Sequence, residues 1–186
     1  NQQILRVDKE SNQPISSTLE TKIRRIIKSK IDLFDVVVLS DYNKGILTDK
    51  LLKTTIELSR KKNKLIIVDP KKSDFSPYKG ANIITPNFKE LLEASKIKKI
   101  LQNEDDPNMV VRLSKELLKK YNFDAIVTTR SSDGISIVDK KNASLHLPSK
   151  AQEVFDVSGA GDTVIAYIAS GVANGKSLFN ATEIAN

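Results

Sequence analysis

Four short apolar runs constrain this chain more than any other feature. Residues 34–39 (Phe-Asp-Val-Val-Val-Leu), 65–68, 82–85 and 125–129 read as buried strands of a parallel sheet. Amphipathic stretches lie between them. Residues 48–63 place Leu51, Leu52, Thr55, Ile56 and Leu58 on an inward face, with Thr48 as the cap. Residues 88–94 form a short helix. Residues 107–121 form a longer one, with Pro107 in its first turn and Val110, Leu113 and Leu117 on one side. Ahead of the first run, residues 2–7 alternate like a strand, and residues 17–31 read as a helix carrying Ile23, Ile26 and Ile27 together. After the last run, Ser131-Ser132-Asp133-Gly134 is a tight turn into an antiparallel strand at 135–138, followed by a short strand at 144–147. Residues 159–174 are apolar nearly all round, which predicts a central helix. Gly175 breaks it, and Ser177 starts a final helix. Strands separated by helices predict an α/β fold: a mainly parallel sheet with helices on both faces, in one domain spanning 1–186.

Composition narrows the function classes. The 186 residues contain no cysteine, which excludes disulfides and thiolate metal sites and suits a reducing cytoplasm. No run is long enough to span a membrane, and the first residues show no apolar secretory segment. The net charge of +7 comes from 30 Lys+Arg against 23 Asp+Glu, but the lysines fall in scattered pairs such as Lys61-Lys62 and Lys140-Lys141. With aromatics at only 5%, there is no basic stripe interleaved with stacking rings. The expected partners are small molecules, neither nucleic acid nor membrane.

The chemistry concentrates in Asp156-Val157-Ser158-Gly159-Ala160-Gly161-Asp162. Small residues stand where the chain enters the apolar helix. The first amides of a helix lack internal partners and carry the positive end of its dipole. Gly159 and Gly161 let backbone approach a ligand, so these amides suit phosphate oxygens. A carboxylate beside them, Asp162, repels phosphate unless it does chemistry. A base that takes a hydroxyl proton while the amides hold a phosphoryl group meets both conditions. A plain Gly-rich turn into a helix is the structural alternative.

Three more clusters fall at the ends of the buried strands, where open α/β sheets bind ligands. In Ser40-Asp41-Tyr42-Asn43-Lys44-Gly45, Asp41 and Lys44 could hold sugar hydroxyls or a sugar phosphate, or form an ordinary turn. In Asp69-Pro70-Lys71-Lys72, Lys71 is a point charge for phosphate. In Thr85-Pro86-Asn87-Phe88-Lys89-Glu90, Asn87 and Glu90 have the spacing of a helix capping box. The same pair could organise water around a Mg²⁺ ion, which keeps most of its own waters. The lone His146 reads as an ordinary strand residue.

Asp-Val-Ser-Gly-Ala-Gly-Asp resembles the C-terminal signature of the ribokinase-like, PfkB-type carbohydrate kinases, and Asn-Phe-Lys-Glu resembles their Asn-x-x-Glu motif. Within that family, the Ser-Asp-Tyr-Asn-Lys-Gly, Val-Asp-Pro-Lys and Val-Thr-Thr-Arg-Ser segments are most similar to the heptose-7-phosphate kinases of ADP-heptose synthesis. Arg130 stands where other relatives often have Gly. The resemblance implies that Asp162 is the catalytic base and that Gly159, Ala160 and Gly161 form the anion hole for ATP. It implies nucleotide contacts at Asn87, Phe88, Lys89, Glu90, Arg130 and Gly134, and sugar contacts at Asp41, Lys44 and Lys71. Asn87 and Glu90 would carry Mg²⁺ through water. It further implies phosphorylation of the anomeric oxygen of a heptose 7-phosphate for lipopolysaccharide core, and a homodimer in the full-length protein. The family's Gly-Gly sugar motif, β-lid and adenine segment find no match within 1–186, so the chain reads as a fragment that is inactive alone. Other readings are a ribokinase-like kinase for a hexose phosphate, ribose or nucleoside, and a non-catalytic nucleotide- or nucleic-acid-binding α/β domain. Tyr167 falls where many members have a small residue, which bears on local helix packing.

Overall fold

A computed structural model describes residues 7, 9–96, 107–149 and 159–186. Six strands form one sheet in chain order: β1 (Val36–Ser40), β2 (Leu65–Asp69), β3 (Ile83–Ile84), β4 (Ala125–Thr129), β5 (Ile135–Asp139) and β6 (Ser144–Leu147). The first four run parallel, with Val38 opposite Ile67 and Ile83 opposite Ala125; β5 and β6 turn back antiparallel. Among the described residues the helices are α1 (Ser17–Lys30), α2 (Asp49–Lys61), α3 (Phe88–Ala94), α4 (Pro107–Tyr121), α5 (Ala160–Ala173) and α6 (Leu178–Ala185).

Strand alternation sorts the core into two layers. Ile66, Val68, Ile84 and Ile126 face α2, α3 and α4, in a layer completed by Phe75, Tyr78, Leu113 and Phe123. Ile67, Ile83, Val127, Ile135 and Ile137 point the other way and meet Ile165 and Ile168 of α5. Local sequence sets the helix starts. Ser16, Thr48 and Ser177 each accept a backbone N–H in the first turn of the helix that follows.

Three expectations need correction. The run at 34–39 is not buried on both faces: β1 is an outer strand among the described residues, with Val38 40% and Phe34 54% exposed. In α2, Ser59 is fully buried and Leu58 only partly so, because four residues on from Thr55 the inward position is 59. Most consequentially, α5 is not central, since of its residues only Ile165 and Ile168 are buried. Small residues among its apolar ones allow close packing on α6. A Cβ at Gly171 would lie 2.6 Å from the Cβ of Ala181. Tyr167 is 54% exposed, so its bulk lies largely at the surface. In α1 the apolar side is only lightly covered, and Ile26 is 47% exposed. The strand expected at 2–7 lies outside the described residues, apart from Val7.

Candidate active site

The C-terminal ends of the parallel strands and the start of α5 converge on a cleft of about 220 Å³. It is lined by Asp41 and Tyr42 after β1, Asp69 to Lys71 at and after β2, Thr85, Asn87 and Glu90 after β3, Thr129 of β4, and Gly159, Gly161 and Asp162. A larger groove of about 570 Å³ runs along α2 and the 76–80 turn, but it gathers none of the strand-end residues.

Gly159 stands just before α5 with φ +79°, a conformation that glycine adopts without penalty. A Cβ built on Gly159 or Gly161 meets nothing within 4 Å among the described residues, so the turn presents open backbone to the cleft. Asp162 sits in the first turn of α5, where the helix dipole favours a negative charge. Its Oδ2 accepts a hydrogen bond of 2.9 Å from the Tyr42 hydroxyl. Residues Asp156 to Ser158 of the same motif lie outside the described residues.

Asp41 anchors the opposite wall. It is 4% exposed; its Oδ2 accepts from the Tyr78 hydroxyl at 2.7 Å and its Oδ1 from the Asn43 N–H at 2.7 Å. Burial and the Asp41 carboxylate together push the Tyr78 phenol well above its ordinary range. The Asp41 amide donates to the Asp69 carbonyl at 2.9 Å, which ties the first strand end to the second. Lys44 turns instead toward Glu10, with which it forms an ion pair, and is not among the lining residues.

Asn87 and Glu90 form a complete capping box on α3. Asn87 Oδ1 accepts the Glu90 N–H at 2.9 Å, and Glu90 Oε2 accepts the Asn87 N–H at 2.9 Å. The second carboxylate oxygen of Glu90 is still directed at the cleft and pairs with Lys71 Nζ at 3.0 Å. That bond raises the Lys71 ammonium above its usual range. The pair is therefore a cap and a cleft wall at once. Asp69 was visible in sequence only as a strand terminator. Its burial, then the charge of Glu90, then that of Asp162, push its carboxyl from 3.8 up to about 7, with Lys71 opposing.

The structure thus brings Asp41, Lys71, Asn87, Glu90, Gly159, Gly161 and Asp162 together. Besides Lys44, it leaves five other predicted residues outside the cleft lining. Ala160 opens α5 between the two lining glycines. Phe88 packs against the core. Lys89 is exposed on α3. Arg130 turns to donate to Ser136 Oγ at 3.3 Å. Gly134 is a structural necessity, with φ +85° and a Cβ position only 2.0 Å from the Leu147 carbonyl oxygen. His146 hydrogen-bonds Ser136 Oγ at 2.7 Å, and burial lowers its imidazole, as befits a strand residue. Sequence reasoning assigned no role to Tyr42, Asp69, Thr85 or Thr129, although all four stood inside singled-out segments.

Among the described residues no three acidic, His or Cys side chains close a metal cage. The donors present suit a hard cation that keeps its waters and takes few protein ligands. Burial first, and then the charges of Glu90 and Asp162, raise the Asp69 carboxyl at the same spot.

A family model described as pfkB family carbohydrate kinase matches residues 2–186. Similar curated proteins are each named bifunctional protein HldE. That of Syntrophotalea carbinolica is 38% identical over 185 residues, covering 100% of this chain and 37% of that protein. That of Helicobacter hepaticus is 40% identical over 187 residues, again with 37% of its own length covered. Among solved structures, the phosphofructokinase-2 of Escherichia coli in complex with potassium superposes with a TM-score of 0.77 at 16% identity, over 92% of this chain and 54% of that one. The ribokinase of Arabidopsis thaliana complexed with ribose and ATP gives 0.68 at 17%, over 93% and 51%. These two likenesses establish the fold. The chain spans little more than a third of the curated relatives' length.

Proposed function

The chain belongs to the pfkB family of carbohydrate kinases, and on that premise we propose that it transfers the γ-phosphoryl group of ATP to a hydroxyl of a sugar phosphate. The acceptor we propose is the anomeric oxygen of D-glycero-β-D-manno-heptose 7-phosphate, on the path to ADP-heptose and lipopolysaccharide core. Residues 1–186 would supply the central and C-terminal part of one kinase domain, acting in the cytoplasm within a homodimer of the longer protein. No helix among the described residues is long and apolar enough to cross a membrane, in keeping with that setting.

One observation carries the reading. A carboxylate, Asp162, stands on the first turn of α5 beside an open glycine turn, across one cleft from Asp41, Lys71 and Glu90. In the proposed reaction the amides at Gly159 to Gly161 hold the transferring phosphoryl oxygens. Asp162 takes the proton of the acceptor hydroxyl as the oxygen–phosphorus bond forms and the bond to ADP breaks. Asp41 is fixed by two hydrogen bonds and offers a positioned acceptor for sugar hydroxyls. Lys71 supplies positive charge for a phosphate. Mg²⁺, when bound, neutralises nucleotide phosphate charge, and Asn87 and Glu90 would hold it through water.

The test is Asp162→Asn in the longest natural chain containing this sequence, assayed by ADP release with heptose 7-phosphate and with fructose 6-phosphate, ribose and adenosine. Turnover should fall about a hundredfold or more while nucleotide affinity changes little. Parental turnover in the Asn variant would refute the assignment, and a preference for another acceptor would move the substrate. Residues 1–186 alone should bind nucleotide weakly and turn over far more slowly than about one per second.

A further inference from the structure

We propose that Tyr42 is a positioning residue for the proton acceptor of the cleft, its hydroxyl holding one oxygen of Asp162 so that the other is free to take the proton. This rests on the kinase reading above and assigns a role to a residue outside that reading's machinery. The geometry is specific. Tyr42 and Asp162 lie 120 positions apart, on the loop after β1 and at the start of α5, and meet at 2.9 Å. Asp162 Oδ1 makes no other hydrogen bond among the described residues.

The loop that carries Tyr42 is built to hold it. Asp41 is buried before it and bonded by Tyr78 and by the Asn43 amide, so the chain turns at once after Tyr42. Asn43 takes the left-handed conformation at φ 53°, which asparagine tolerates better than most residues. Gly45 has φ +82°, and its Cβ position lies 2.0 Å from the Gln13 carbonyl oxygen, so backbone fills the space behind the loop. The Gly45 carbonyl accepts the Ile15 N–H at 3.0 Å. Lys44 lies 5.9 Å from the Tyr42 ring centroid while paired with Glu10, which steadies the ring from its outer side. A solvent-facing tyrosine, 56% exposed, is thereby aimed at one carboxylate oxygen.

A phenol donating to a carboxylate stabilises the charged form of the acid and fixes its rotamer. Both effects matter to a base. The bond raises the Tyr42 phenol above its ordinary range, chiefly through Asp162, with a smaller contribution in the same direction from Asp69. The ionisable groups around the pair are Lys44 on the same loop, Asp41, Asp69 and Lys71 at the first two strand ends, and Glu90 of α3. In the proposed step the sugar hydroxyl loses its proton to Asp162, and Tyr42 keeps its own.

The chain has four tyrosines and no tryptophan, so ultraviolet absorbance during an alkaline titration reads tyrosinate directly. The difference between the parent chain and Tyr42→Phe isolates Tyr42. It should ionise later than an ordinary phenol, and Asp162→Asn should return it toward the ordinary value. The buried Tyr78 should stay late in every variant, which reports that the fold is intact. In the longest natural chain containing this sequence, Tyr42→Phe should lower kcat about tenfold with little change in the KM for ATP. A merely structural tyrosine would not separate kcat from KM in this way. An unchanged Tyr42 titration in Asp162→Asn, or an unchanged kcat in Tyr42→Phe, overturns the proposal. If Asp162→Asn abolishes turnover while Tyr42→Phe matches the parent, only the Tyr42 role fails. If Asp162→Asn itself matches the parent, the kinase reading fails and this proposal with it.

Discussion

Replacing Asp69 by Asn should stabilise the chain at neutral pH and above, and matter little near pH 4. The side chain ends β2, partly buried among Glu90, Asp162 and Asp41, and its carboxyl is pushed from 3.8 to about 7. Between those two values the folded chain holds a proton that the unfolded chain has released. Stability therefore falls as pH rises through this window and levels off above about pH 7. A displacement of roughly three pH units at ~1.4 kcal/mol each sets an upper bound of ~4 kcal/mol. The side chain keeps some solvent access and Lys71 lies nearby, so screening reduces the expected effect to about 2 kcal/mol. For a chain of this size that corresponds to a rise of about 4–8 °C in Tm. Asn preserves shape and removes the charge. Thermal melts of parent and Asp69→Asn across about pH 4–9 should show a gap that opens through the window and then stays constant. A gap independent of pH, or an Asn variant less stable than the parent at pH 8, would refute the account of this carboxylate.

Other outcomes follow from the same geometry. Glu90→Gln can keep the capping bond and should leave Tm nearly unchanged while weakening the Mg²⁺ dependence of nucleotide binding. Asn87→Ala loses the side-chain cap and should cost about 1 kcal/mol of stability along with nucleotide affinity; melts and Mg²⁺ titrations on the same samples separate the two effects. Gly134→Ala forces a Cβ to within 2.0 Å of the Leu147 carbonyl oxygen and should cost more than ~2 kcal/mol in urea unfolding, whereas a mild loss would mean that the end of β6 gives way. The outer edge of β1, with Val38 40% exposed, should drive concentration-dependent association of residues 1–186 in sedimentation, and Val38→Lys should suppress it.

Much of the fold was legible because its signals are local. The bounds of α3, α4, β4 and β6 coincide with those read from caps, Pro107 and short apolar runs. The errors arose where burial depends on neighbours. The run 34–39 carries the residues of a doubly covered strand but lies at an outer position among the described residues, and the sequence of a strand does not state its rank in a sheet. For α5, the small residues among Val164, Ile165, Ile168 and Val172 meant a close helix seam, not a central place, as the Gly171–Ala181 approach shows. In the site, residues within one motif were readable. What no motif could reveal was pairing between motifs: Tyr42 with Asp162, Lys71 with Glu90, and Tyr78 with Asp41. Those contacts exist because parallel strands deliver their C-terminal ends to one edge, a consequence of topology.

That convergence also resolves an apparent contradiction in charge. The chain carries a net +7, yet among the described residues its cleft is lined by Asp41, Asp69, Glu90 and Asp162 against Lys71. A site meant only to hold an anion would gather cations, and this chain has 30 of them to place. The lysines lie instead on helix ends and turns. On the kinase reading proposed above, anion binding would fall to the uncharged backbone amides at the glycine turn, which hold phosphate without neutralising neighbouring carboxylates. On that reading, such a cleft would take a polyphosphate together with a cation. On that same reading, carboxylates that would be a liability for binding alone have work in phosphoryl transfer to a hydroxyl: Asp162 would take the proton, Asp41 would fix the acceptor, and Glu90 would help seat a hydrated cation.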